Sequence, residues 1–131
     1  MKTSHTLYRT GRILLASLFV IAGTLKIVGF SEVVGNMDRM GVPFATVAVL
    51  IAILVEVGGG LAISIGLHVR PVAVVVAVFT AIATLTAHRF WQADPVAMQN
   101  QLNHFMKNIS IIGALLMLAA FDDSSKKGEM R

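Results

Sequence analysis

The 131-residue chain contains no cysteine. Thiol–disulfide chemistry, Cys-ligated clusters and disulfide staples are therefore excluded, and the redox compartment is left open. Charge is scarce too: Asp, Glu, Lys and Arg make up 14% of the residues, against 56% apolar ones. Mean hydropathy is +0.77. A soluble domain this small has too much surface for its volume to hide so many apolar side chains, so lipid is the expected solvent. Neither GxGxxG nor a Walker lysine occurs, and with them go the common phosphate-cradling loops. No lipidation motif is present. Acidic residues are the rarer sign, 7 against 11 basic ones, for a net charge of +4. Such a balance points to nucleic acid only where the basic residues form a patch. Here they are scattered between apolar runs, so no nucleic acid is expected and membrane lipids with anionic headgroups are the expected partner.

What the chain does have is four apolar runs, at 13–30, 46–67, 71–87 and 105–121. Each is about 17–22 residues, close to the ~20 a helix needs to cross ~30 Å of hydrocarbon. The expected fold is all-α, a transmembrane four-helix bundle in a single domain over 1–131. The connectors are "SEVVGNMDRMGVP", the tight "HVR" and "HRFWQADPVAMQNQLNH", and the tail "DDSSKKGEMR" is expected to fray. The basic start "MKTSHTLYRTGR" and Val20-Ile21-Ala22 resemble a signal peptide with its cleavage site. The apolar run continues past that point and three more follow, so an uncleaved first helix is expected.

Four spans bring both termini to one side. Lys2, Arg9, Arg12, Arg70, Lys126, Lys127 and Arg131 share it, while Lys26, Arg39, Arg89 and Lys107 lie on the other. The positive-inside rule then places the N- and C-termini in the cytoplasm. Phe44, Phe90, Trp91 and Phe105 fall at the outer boundary and Tyr8 and Phe121 at the inner one, as aromatic belts do.

Lipid provides no hydrophobic drive between helices, so contact must come from close approach at small residues. The second run has Gly58, Ala62 and Gly66 in one row and Ala52, Glu56, Gly60 and Ser64 in another. The first run offers Arg12, Ala16, Phe19, Gly23 and Lys26 on one stripe, and the third Ala77, Thr80, Ala81, Thr84 and His88. These faces are expected to turn inward. Gly58, Gly59 and Gly60 read first as packing residues and second as an unwound hinge.

Glu56 is the exception in an apolar run. It lies ten residues after Thr46 and eleven before Leu67, about 15 Å from either end and hence near the midplane. An acidic side chain there costs about 2.5–3.5 kcal/mol to insert, so it is expected to face the bundle interior. It is either half of a structural ion pair or a functional acid. Lys26 ends the first run, Lys107 and Asn108 open the fourth, and His88, Arg89 and Trp91 follow the third, all on the outer side. Each also has a plainer reading. The lysines snorkel to headgroups, His88 satisfies a carbonyl at the interface, Asn108 bonds between helices, and Trp91 anchors a belt. His68 and His104 are expected in loops. With no bis-His pairing on facing spans and no clustered ligands, neither metal nor haem is expected.

At these residues the sequence resembles the DoxX family of small four-helix bacterial inner-membrane proteins. The matching pieces are "GRILLASLFVIAGTLKIVGF", "MGVP", "EVGGGLAISIGLHVRPVA", "HRFW" and "FMKNISIIGALLML", in that order. They cover nearly all of the chain from Gly11 to Ala120. Carried onto this sequence, the family pattern picks out Arg12, Gly23, Lys26, Glu56, Gly59, Gly66, Arg70, His88, Lys107 and Asn108. The resemblance implies a plasma-membrane location. It also implies a link to quinone-dependent redox or oxidative-stress systems, because the family is named after a subunit associated with a thiosulfate:quinone oxidoreductase. Set beside some relatives of that enzyme, the chain is expected to be without their longer extramembrane part.

Three functions follow as expectations. The first is an oxidoreductase subunit that uses quinone, with Glu56 and His88 as catalytic proton-handling groups and Lys26, Trp91, Lys107 and Asn108 binding the cofactor. Its electrons come from a redox partner protein or a soluble substrate. The second is a small-molecule or lipid binding or transport protein. Small multidrug transporters have this size but carry their acid in the first span, and lysines beside Glu56 favour an anionic or neutral ligand. The third is a structural subunit in which the polar cluster is an ion-paired lock and the small-residue surface supports a homodimer.

Overall fold

The computed structural model describes residues 2–122. Lys126, Lys127, Arg131 and the tail after Asp122 lie outside the described residues. The elements are α1 (Lys2–Val28), α2 (Phe30–Arg39), α3 (Ala45–Ile53), a π-helical turn (Leu54–Gly58), α4 (Gly59–Ile65), α5 (Val69–Ala87), a 3₁₀ turn (Phe90–Gln92) and α6 (Pro95–Phe121). No strand occurs among the described residues, and four stretches are long and apolar enough to cross a membrane: Ser4–Val28, Ala45–Ile65, Val69–Gln92 and Pro95–Phe121. The all-α four-span fold expected from composition is the fold observed.

The boundaries differ from those expected. The connector after the first run contains a helix, α2, which closes with Gly41 at φ +77° and the bond from Val42 N–H to Met37 O. The fourth helix starts at Pro95, ten residues before 105. Asp94 caps it by accepting from the backbone N–H groups of Val96 and Ala97, and Pro95 occupies the first turn, where a missing N–H costs nothing. His104, expected in a loop, is therefore helical, whereas His68 does sit in the turn before α5. That turn begins with Gly66 at φ +84°. Leu67 N–H bonds Ala62 O and Gly66 N–H bonds Ile63 O, the paired bonds of a Schellman stop.

Close approach is what joins α1 to the second span. A Cβ on Gly60 would stand 2.7 Å from Val20 Cγ2 and 3.1 Å from Ala16 O. On the same α1 stripe Ala16, Phe19 and Gly23 are buried. Hydroxyls that face no partner helix return to their own, as Thr24 Oγ1 does to Val20 O, because lipid offers no other acceptor. Gly59 likewise packs on Val76, while Gly58 is exposed and meets only Leu54. The packing reading therefore holds for two of the three glycines, and the third ends the π turn.

The core is off-centre. Ala16, Phe19, Ile63, Val69, Ala73, Val76, Leu115 and Leu118 form one buried cluster toward the end that carries the described termini. Tyr8 Oη donates to Asp122 Oδ1 at 2.8 Å there, and Arg70 Nε to Ala119 O at 3.0 Å. At the opposite end, here called distal, α5 stays packed on α6 but α3 makes no comparable contact with α5. The spans part, and a chamber opens between them.

Candidate functional site

Glu56 sits inside the π turn, where one extra residue per turn widens the helix and rotates the side chains that follow. Its carboxyl thus turns to α1 although regular α-helix flanks it on both sides. Gly23 makes the approach possible. A Cβ there would be 3.0 Å from Glu56 Cβ and 2.6 Å from Val57 Cγ2. One turn further on, Lys26 projects back along α1 toward the midplane, as helical side chains do. Its Nζ lies 3.0 Å from Oε1, to which it donates, and 2.9 Å from Oε2. Glu56 is 6% exposed.

This pair forms part of the wall of a cavity of about 530 Å³. Most of its lining is apolar, from Phe19, Met37, Ile51 and Phe79 among others, and its polar members include Lys26, Glu56, Thr80, His88 and Asn108. Ile51 and Ile82 on its rim are 53% and 61% exposed, so the cavity reaches the lipid-facing surface between α3 and α5. Met37 and Met40, from α2 and its end, line the cavity as well.

Asn108 and His88 are fixed by separate bonds. Asn108 Nδ2 donates to Thr84 Oγ1 at 3.0 Å, and that hydroxyl donates to Thr80 O at 2.6 Å. His88 ends α5. Its Nδ1 is 3.0 Å from Gln101 Oε1, and its ring stacks on His104 with centroids 5.1 Å apart and planes 17° from parallel.

Four of the six expected site residues therefore share one cavity: Glu56, His88, Lys26 and Asn108. The other two do not. Trp91 is half exposed in an aromatic corner with Phe90 and Phe105, at 5.2 and 6.0 Å between centroids. Lys107 is exposed on α6, one residue out of step with the face that carries Asn108. Neither lines the cavity: Trp91 lies beyond the end of α5 in the 3₁₀ turn, and on α6 the 100° turn per residue sends Lys107 to a different face from Asn108. Sequence reading missed Gln101 and His104. They share a helical face with Asn108 at spacings of three and four, a pattern that appears only once Asp94-Pro95 is read as a helix start. No cluster of three or more His, Asp or Glu arranged to hold a metal occurs among the described residues.

The DoxX family model matches residues 8–89, which include Lys26, Glu56 and His88. This chain belongs to the DoxX family. It is 34% identical over 108 residues to the inner membrane protein YphA of Escherichia coli (strain K12), covering 82% of this chain and 77% of that one. With the inner membrane protein YqjF of the same organism it shares 40% identity over 108 residues, or 82% and 78% of the two chains. No solved structure matches. With four candidate spans and relatives of this kind, this DoxX-family chain is a multi-pass inner-membrane protein.

Proposed function

We propose that this DoxX-family protein is the quinone-binding membrane subunit of a redox or oxidative-stress system, with the head group held in the distal cavity. One observation carries the reading: a mainly apolar chamber, open toward lipid, in which an ion pair, an imidazole and an amide from all four spans converge. Ligand sites have this make-up, an apolar lining with a few fixed polar groups. A quinone is a flat apolar ring with two carbonyl acceptors and a lipid-soluble tail. Lys26 and Asn108 supply donors, Phe19 and Phe79 apolar contact, and the gap between α3 and α5 an exit for the tail. When bound, a quinone accepts two electrons and two protons as it becomes a hydroquinone. Glu56 and His88 are the groups suited to proton exchange, and a redox partner protein supplies the electrons. The termini face the cytoplasm in this reading, by the distribution of basic residues.

The test is extraction. Protein purified in mild detergent is treated with organic solvent, and the extract is scanned by ultraviolet absorbance before and after borohydride. Quinone near one per chain is expected, and much less from Glu56→Gln, whose fold is retained. An extract free of quinone at every purification step overturns the reading. The Lys26–Glu56 bridge favours one alternative, a structural subunit locked by an ion pair. That reading predicts little loss when both partners are replaced together by apolar residues.

A further inference from the structure

We infer that Gln101 is a positioning residue: it sets the tautomer of His88, so that the imidazole keeps Nε2 free as a hydrogen-bond acceptor for a ligand hydroxyl in the cavity. A neutral imidazole has one N–H and one bare nitrogen. The atom of Gln101 facing His88 is its amide oxygen, 3.0 Å from Nδ1. An amide oxygen accepts and never donates, so this contact is a hydrogen bond only in the Nδ1–H tautomer, which leaves the lone pair on Nε2. Second-sphere bonds fix histidine tautomers in this way wherever the other nitrogen has work to do.

The residue is held in two further ways. The backbone N–H of His88 bonds Thr84 O at 3.0 Å, and the His104 ring covers one face of the imidazole. The nearby cations are engaged or turned away. Lys26 faces Glu56, Arg89 Nε donates to Leu85 O, and Lys107 is exposed. Gln101 also lines a second hollow, of about 430 Å³, that shares Met40, Thr86 and Ala87 with the main cavity. His88 is thus the residue of the inner chamber that Gln101 ties to the distal surface.

The consequence concerns which form of the ligand is held. Quinone carbonyls only accept hydrogen bonds, whereas hydroquinone hydroxyls also donate. An acceptor at Nε2 therefore favours the hydroxyl-bearing, reduced form. The ligand part of this inference rests on the quinone reading; the tautomer part does not.

The experiment has two arms. Protein labelled with ¹⁵N-histidine is placed in lipid nanodiscs in alkaline buffer, where imidazoles are neutral, and the His88 ring is assigned by its loss in His88→Gln. Native protein is expected to show the Nδ1–H form. Gln101→Met, similar in length but without the acceptor, is expected to lose it, and Gln101→Glu, which keeps an acceptor, to retain it. A native Nε2–H signature, or no change in Gln101→Met, overturns the inference. In the second arm a short-chain benzoquinone and its hydroquinone are titrated anaerobically. Gln101→Met is expected to weaken the hydroquinone about tenfold more than the quinone. Equal weakening overturns the acceptor role. If neither compound binds native protein while the tautomer shifts as described, the quinone reading falls and the positioning role stands.

Discussion

Gly23 and Glu56 meet where α1 crosses the π turn, so closely that a methyl group on the glycine would stand 3.0 Å from the glutamate Cβ. The same methyl would lie 3.1 Å from the backbone nitrogen of Val57, which cannot rotate aside. Gly23→Ala therefore has to push α1 away from the second span. The expected loss is about 1–3 kcal/mol, the usual cost of overpacking. Unfolding by denaturing detergent, followed by circular dichroism, measures it. Native stability for Gly23→Ala would mean that this crossing is loose.

Lys26→Met tests the ion pair. A carboxylate left in hydrocarbon without its cation is strongly disfavoured, so Glu56 is expected to take up a proton. Infrared difference spectra should then show a protonated carboxyl stretch that is absent from native protein and from Lys26→Met/Glu56→Gln. Lys26→Met should be less stable than that double variant, because breaking a buried pair on one side costs more than replacing both partners. If no new carboxyl band appears at any pH, the two side chains do not depend on each other.

Asn108 and Thr84 link α6 to α5 beside the cavity. Thr84→Val keeps the shape and removes both the acceptor for Asn108 and the donor to Thr80 O. Interhelical hydrogen bonds in membranes average about 0.6 kcal/mol, with a maximum near 1.7. A loss in that range, shared non-additively with Asn108→Leu in a double-mutant cycle, is the expected result. Full additivity would mean that the bond contributes nothing.

At the terminal end, Tyr8→Phe deletes the hydroxyl that reaches Asp122, a residue only 7% exposed. The cost expected is about 1–2 kcal/mol, since a charged acceptor loses a donor. Amide exchange should rise in the last turn of α6 and leave the cavity residues unchanged. Faster exchange around His88 instead would couple the two ends.

Asp94→Ala removes the cap of α6, for which about 1 kcal/mol is typical. The effect should be local, with faster exchange over the first turn of the helix. Because Gln101 lies less than two turns further on, the Nδ1–H signature of His88 is a sensitive second readout. If exchange in that turn is unaltered, the capping bonds do not hold it.

Sequence alone determined how many stretches among the described residues are long and apolar enough to cross the membrane, and that they are helical. Hydrocarbon thickness demands a certain apolar length, and backbone satisfaction in lipid demands helix, so neither depends on what packs against what. It also marked Glu56 as costly and the small-residue stripe of α1 as inward-facing, because a 3.6-residue period is readable from spacing. Which polar side chains meet was a different matter. The π turn that redirects Glu56, the splaying of α3 from α5, the exclusion of Lys107 and Trp91, and the bond from Gln101 to His88 depend on helix rotation and register. Those are set by packing between distant segments, where a shift of one residue moves a side chain by 100°, and tertiary structure alone decides them.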